Sequence, residues 1–257
     1  MTLTSLAGKH CAIVGATGVI GSAIAQTFAH QGAVLSLISR SALDNRARIE
    51  KSLKAPSASD STDGSAVPRA HRFFNVDVAD REAVRAAFYA KRGDVIGPVD
   101  VLVNCAGITQ TQALKRIPDE GISDIIDTNL MATIWACKHA QIRSHGCIIN
   151  VSSLMATKGG AGATAYAASK GALVSFTRAL CREYGVNSIR VNALLPGWVD
   201  SPMWNHLKDA IKQKTLDETP LGRIADPAEV ADAALFLATN TFANNCVLNL
   251  DGGLSAT

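Results

Sequence analysis

Residues 11–29 read CAIVGATGVIGSAIAQTFA. A short apolar run, Cys11 to Val14, meets Gly15, Gly18 and Gly21, and small and apolar residues then continue at helical spacing. A strand that turns through close-set glycines into a helix opens many α/β sheets, and the helix N-terminus there presents free amides to an anion. Alone, the spacing Gly-x-x-Gly-x-x-Gly also suits a plain tight turn, and it differs from the commoner Gly-x-Gly-x-x-Gly. Its position at the first strand–helix junction, with a second strand following Gly32, favours a dinucleotide pyrophosphate site. Residues 11–39 carry no formal charge, yet the three glycines, Gln26, His30, Gln31 and Gly32 interrupt the run, so a membrane span is rejected.

Outward from this unit, short β-rich runs recur between helical patterns: HCAIVG, AVLSLIS, RFFNV, VDVLVNCA, GCIINVSS, SIRVNALL and CVLNLDGG. They are nearly all apolar rather than alternating, as strands covered on both faces are. The fold class is therefore α/β: a single doubly wound Rossmann-type domain over 1–257, with a seven-stranded, mainly parallel sheet and helices on both faces. Residues 54–70, KAPSASDSTDGSAVPRA, are biased to Ser, Ala, Asp and Pro and are expected to form a flexible loop inserted before the third strand.

Bulk composition mainly excludes. With 25 basic and 22 acidic residues the net charge is +3, well short of a nucleic-acid binder. The six cysteines lack metal-ligand or disulfide spacing, so no metal is expected and a reducing compartment is. The N-terminal segment MTLTSLAGKH has no secretory or transit pattern, and a cytoplasmic protein that does not engage a membrane is expected.

The second strand selects the dinucleotide. An acidic residue at its end would hold the adenosine ribose of NAD, but here the strand ends in ISRSA. Arg40, flanked by Ser39 and Ser41, instead suits the 2′-phosphate of NADP(H). Read plainly, Arg40 is an ordinary surface residue.

In GATAYAASKGALVSF, residues 162–176, Tyr166 and Lys170 lie one helical turn apart on one face. The preceding NVSS brings the Ser153 hydroxyl to the carboxyl edge of the sheet, where open α/β proteins bind ligands. A phenol keeps its proton to about pH 10. A neighbouring ammonium and the positive charge of an oxidised nicotinamide are both expected to lower that pKa, so that Tyr166 can act as acid and base.

These residues resemble the short-chain dehydrogenase/reductase family along nearly the whole chain. The resemblance makes Ser153, Tyr166 and Lys170 the catalytic set, with Asn129 of DTNL as the fourth member, supporting a water relay to the lysine. It implies a cofactor set of Gly15, Thr17, Gly18, Ile20 and Gly21 in the first loop, Ser39, Arg40 and Ser41, and Asp77 and Val78 in NVDVAD. The same set takes Asn104, Ala106 and Gly107 in NCAG, Pro196, Gly197 and Val199 in LLPGWVDSPM, and Tyr166 and Lys170 themselves, the lysine on the nicotinamide ribose. Departures are visible. The first loop is closer to that of the family's extended branch and lacks a basic residue, Cys105 replaces an asparagine, and Asn244 and Asn245 stand where Thr-Gly is usual.

Within the family the chain is similar to β-ketoacyl-acyl-carrier-protein reductases, through AGITQTQALKRI, TPLGRIADPAEVADAALFLAT and the DGG ending. The expected reaction is NADPH-dependent reduction of a ketone, a small-molecule ketone or a β-keto acyl thioester of the kind an acyl-carrier protein presents, with the proton from Tyr166. A substrate lid is expected at about 199–219, and Leu154, Met155, Trp198, Met203, Trp204 and Leu207 offer apolar lining. A reductase or dehydrogenase of a polyketide-type ketone or alcohol fits the same lining. A non-catalytic NADP-binding regulator or scaffold is the remaining class. The resemblance also implies a homotetramer or homodimer, through helices near 115–142 and 163–184, where Ile134, Trp135, Leu173, Phe176 and Leu180 serve either the interface or the core.

Overall fold

The computed structural model describes residues 5–56, 67–89, 95–110 and 112–256. Seven strands, β1 (His10–Val14), β2 (Val34–Ser39), β3 (Arg72–Asn75), β4 (Val99–Asn104), β5 (Ile142–Val151), β6 (Arg190–Pro196) and β7 (Val247–Leu250), form one sheet. The order is β3-β2-β1-β4-β5-β6-β7 and every pairing is parallel. The helices are α1 (Val19–His30), α2 (Arg46–Glu50), α3 (Arg81–Phe88), α4 (Asp119–Ile126), α5 (Ala132–His139), α6 (Thr164–Tyr184), α7 (Pro202–Asn205), α8 (Asp209–Glu218) and α9 (Pro227–Thr239).

Alternate strand residues supply two cores. Cys11, Ile13, Leu35 and Leu37 pack with Ile24 and Phe28 of α1 and Val230 and Leu237 of α9. Their neighbours Ala12, Val14, Ile38 and Leu102 face the other way, onto Val84 and Phe88 of α3, Ala136 of α5 and Leu180 of α6. Both faces are thus covered, which is why the strands are mostly apolar rather than alternating. Leu173 and Leu180 are buried inside the chain itself, and Trp135 and Phe176 pack half-buried on the second core. The two leucines therefore belong to the core rather than to a subunit contact.

The chain winds from β1 outward to β3, then returns to lay β4 on the other side of β1. This reversal opens a crevice at the carboxyl ends of β1 and β4, the usual place for a ligand in an open α/β sheet. There the loops touch: Cys105 N–H donates to the Val14 carbonyl at 2.9 Å. A Cβ on Gly15, whose φ is +85°, would stand 2.6 Å from the Ala106 nitrogen, so only glycine fits.

Some local features differ from the sequence expectations. β5 begins at Ile142 rather than Gly146, because the chain bulges: pairing with β4 jumps from Val99–Ile142 to Val101–Cys147, with His145 at φ 64°. Asn245 takes the left-handed conformation, φ 56°, and Asn244 Oδ1 accepts from Val191 N–H at 2.9 Å, so the two asparagines make the turn that Thr-Gly was expected to make. Arg190 is buried, and its guanidinium donates to the carbonyls of Leu237, Ala238 and Ala243 at 2.6–2.8 Å, a cation on the C-terminal turn of α9. The expected flexible insertion at 54–70 falls between α2 and β3, and its residues 57–66 lie outside the described residues. Among the described residues no helix is long and apolar enough to cross a membrane.

His10, at the opposite end of β1 from the crevice, is buried between the Pro98 carbonyl (2.8 Å) and the Ser36 hydroxyl (2.9 Å). Burial pushes its pKa down from 6.5 to about 4, with the Pro98 hydrogen bond opposing. The fold thus favours the neutral ring, and that stabilisation is present above pH 6.5 and lost as the pH falls towards 4. The loss is expected to be about 3 kcal/mol. Urea midpoints at pH 7 and pH 4.5 should show it, and His10→Gln should flatten this part of the slope.

Candidate active site

The crevice is a cleft of about 330 Å³ walled by Gly18, Gly21, Cys105, Gly107, Ser153, Tyr166, Lys170, Gly197 and Met203, among others. The helix α1 begins on its floor. Its N-cap, Gly18, has no side chain to satisfy the first-turn amides, and Gly18, Val19, Ile20 and Gly21 all line the cleft. A Cβ on Gly21 would lie 2.2 Å from the Gly15 carbonyl oxygen, so this glycine lets the turn close under the helix.

Ser153, Tyr166 and Lys170 come together on the facing wall. Ser153 follows β5, and its Oγ accepts from Met155 N–H at 3.2 Å, which holds the hydroxyl at the start of a short 3₁₀ turn, Leu154–Ala156. Burial raises the Tyr166 pKa above its ordinary value, a hydrogen bond with Ser153 opposes this, and Cys105 adds to it. The Lys170 Nζ lies 5.8 Å from the centre of the tyrosine ring and donates to the Val151 carbonyl at 3.0 Å. Burial brings the lysine down to about 8, with Cys105 opposing. The expected lowering of the phenol pKa is therefore reversed in the free chain, because desolvation dominates and the ammonium points to the β5 carbonyl.

Asn129 is fully buried on a π turn, Asp127–Met131, between α4 and α5. The extra residue in that turn re-aims the side chain. Its Oδ1 accepts from Ile108 N–H at 2.8 Å, and its Nδ2 donates to the Ile108 carbonyl at 3.0 Å and to Ser169 Oγ at 3.1 Å. A Cβ on Gly107 would meet Asn129 Oδ1 at 3.2 Å and Lys170 Nζ at 3.3 Å, so glycine brings these two groups to one point.

The remaining expected residues divide. Pro196, Gly197, Val199, Trp198 and Met203 line the cleft. Gly197 is pressed against the C-terminal turn, where a Cβ would stand 2.8 Å from the Asp251 Cα. Ser39, Arg40 and Ser41 stand at the end of β2, with Ser39 buried, its Oγ accepting from Ser41 N–H at 3.3 Å, and Arg40 exposed. Asp77 is exposed and bonds Ala79 N–H at 3.1 Å, beside buried Val78. Thr17 and Ala106 are half-buried in the two loops that meet across the crevice.

Others turn away. Asn104 is buried in the sheet, donating to Asn150 Oδ1 at 2.9 Å and to Cys137 Sγ at 3.3 Å, and its neighbour Cys105 lines the cleft instead. Leu154 is core, and Trp204 is buried against Trp198, ring centres 5.5 Å apart. Met155 and Leu207 are half-buried and do not reach the cleft wall. The sequence reading missed Ser152, whose Oγ donates to the Lys170 carbonyl at 2.7 Å, and Ser169, which donates to the Tyr166 carbonyl at 2.7 Å. Spacing on α6 would have flagged Ser169, three residues beyond the tyrosine.

Comparison with known proteins agrees with this geometry. Residues 15–255 match the family model described as enoyl-(acyl carrier protein) reductase. A mouse 3-oxoacyl-[acyl-carrier-protein] reductase is 35% identical over 252 residues, 97% of this chain and 99% of that protein. A short-chain dehydrogenase/reductase from Serratia marcescens superposes with a TM-score of 0.83 at 25% identity, covering 98% of this chain and 99% of that one. A putative 2-deoxy-d-gluconate 3-dehydrogenase from Agrobacterium tumefaciens, solved with bound NADP, gives 0.81 at 27% identity over 98% of both chains. With its glycine loop, crevice and Ser-Tyr-Lys wall in one parallel sheet, the chain belongs to the short-chain dehydrogenase/reductase family of oxidoreductases.

Proposed function

We propose that the protein reduces a ketone to a secondary alcohol with NADPH, that the ketone belongs to a β-keto acyl thioester, and that Tyr166 supplies the proton. The observation that carries this reading is the cleft wall on which the Tyr166 phenol, the Ser153 hydroxyl and the buried Lys170 converge opposite an uncapped helix N-terminus. The residues fit the cofactor. First-turn amides of α1 suit a pyrophosphate, and among the described residues no hydrogen bond or ion pair engages Arg40, which leaves its guanidinium for a 2′-phosphate. Asp77, Val78 and the Cys105–Gly107 loop would flank the adenosine and nicotinamide ends. NADPH bound there supplies the hydride.

The chain's own groups handle the oxygen. Ser153, fixed by Met155 N–H, holds the carbonyl oxygen in line, and Tyr166 delivers its proton to that oxygen as charge develops on it. Lys170 orients the ribose, and its cation favours the phenolate left once the proton has gone, against the burial that raises the Tyr166 pKa in the free chain. Asn129 clamps Ile108 and so fixes the loop beneath the lysine. Met203 and Trp198 give the substrate side an apolar, aromatic surface, as an acyl chain needs, and residues 199–219, carrying α7 and α8, act as the lid. The name of the mouse relative supports a carrier-bound thioester; a polyketide-type ketone would use the same wall. We read 1–257 as one domain acting in a homo-oligomer, with Trp135 among the contacts.

The test is NADPH oxidation with an acetoacetyl thioester, run beside NADH. Turnover that prefers NADPH supports the reading; turnover with NADH alone, or none with either, removes it. Arg40→Asp is expected to raise the KM for NADPH by about 10–100-fold, the worth of a charge-assisted bond of about 1.5–3 kcal/mol, with NADH use unchanged.

A further inference from the structure

The helix α6 carries Tyr166 and Lys170, yet it starts badly. Its N-cap position holds Ala163, at φ −126°, with no side chain able to accept from the first-turn amides. The segment before it, GGAGA, offers no Ser, Thr, Asp or Asn. Amides left in this state cost stability and fray the first turn, and Tyr166 sits in that turn.

A residue from a distant loop takes the missing role. Gln110 is buried in the loop after β4, and its Oε1 accepts from Ala165 N–H at 2.8 Å and from Tyr166 N–H at 3.3 Å. These are the amides an N-cap side chain would satisfy. Its Nε2 donates to the Gln112 carbonyl at 2.7 Å and to Thr164 Oγ1 at 3.3 Å, which fixes the amide's orientation. The same loop is clamped two residues earlier, where Asn129 bonds both backbone groups of Ile108.

We propose that Gln110 is a positioning residue for the catalytic tyrosine: a remote cap that holds the first turn of α6 and hence the phenol against the cleft. The proposal rests on the ketone-reductase reading for its kinetic consequence, and on geometry alone for the cap. Gln110→Ala removes both acceptor bonds. It is expected to lower kcat by about 10–100-fold, since small misplacements of an acid are costly, while the KM for NADPH changes by less than about threefold. Gln110→Glu keeps an acceptor for both amides, and as the protonated acid it still donates to the Gln112 carbonyl that Nε2 meets at 2.7 Å. It is expected to retain kcat within about threefold.

Hydrogen exchange at the Ala165 and Tyr166 amides reads the cap without any turnover. It should quicken in Gln110→Ala and stay near wild type in Gln110→Glu. A wild-type protein inactive on acetoacetyl thioester would remove the functional reading while exchange still decided the cap. Unchanged exchange in Gln110→Ala overturns the cap, as does equal loss of kcat in both variants. Retention of kcat by Gln110→Ala in an active enzyme overturns the positioning role.

Discussion

Tyr166→Phe is expected to lower kcat for ketone reduction by about 10³-fold, within the 10²–10⁴ range of general acid catalysis, while NADPH affinity stays within about threefold. The ring survives the change, so packing is preserved and only the hydroxyl is lost. No other side chain on that wall can replace it: Ser153 is a far weaker acid, and Lys170 donates to the Val151 carbonyl. Rates and cofactor fluorescence on one preparation separate the two effects. A variant that kept a tenth or more of the wild-type kcat would put the proton source elsewhere.

Lys170→Met should lower kcat/KM by about 10²-fold or more and yet leave the fold at least as stable. Lys170 is 4% exposed, and burial drags its pKa from 10.5 to about 8, so below pH 8 the fold holds a charge it disfavours. That cost, about 3 kcal/mol at most, is fully present below pH 8 and fades as the pH rises towards 10.5. Methionine fills similar volume without it. On the proposed mechanism, a residue that weakens the fold is retained because its charge serves the chemistry. The same value sets a pH dependence. Since reduction needs the charged lysine, kcat/KM should fall as the pH rises through about 8, and this limb should vanish in Lys170→Met. Loss of stability together with activity would instead make the lysine structural.

The strands were legible because both sheet faces are covered: the runs from Cys11 to Leu250 are mostly apolar without alternation, and glycines or polar turns bound them. The cleft was legible where function is local in sequence, as in Tyr166 and Lys170 on one helix face. What escaped depends on distant contacts. Gln110 caps a helix it does not belong to, Arg190 takes carbonyls from α9 and the turn after it, and the π turn at Asn129 leaves no periodicity signal in so short a segment. Leu154 and Trp204 illustrate another limit, since an apolar residue near a site reads the same whether it faces the substrate or the core. The direction of the Tyr166 shift was missed because the ammonium's pull was counted and the loss of solvent was not.

The family model that matches residues 15–255 is named for enoyl thioesters, and the mouse relative for 3-oxoacyl thioesters. Reduction at a carbonyl needs a proton delivered to oxygen, the role proposed for Tyr166 beside Ser153. Purified protein should therefore be given NADPH with acetoacetyl thioester and, separately, with crotonyl thioester, and the products weighed by mass spectrometry. The account predicts 3-hydroxybutyryl thioester from the first and no reaction with the second. Butyryl thioester from crotonyl, with the acetoacetyl compound untouched, would contradict it.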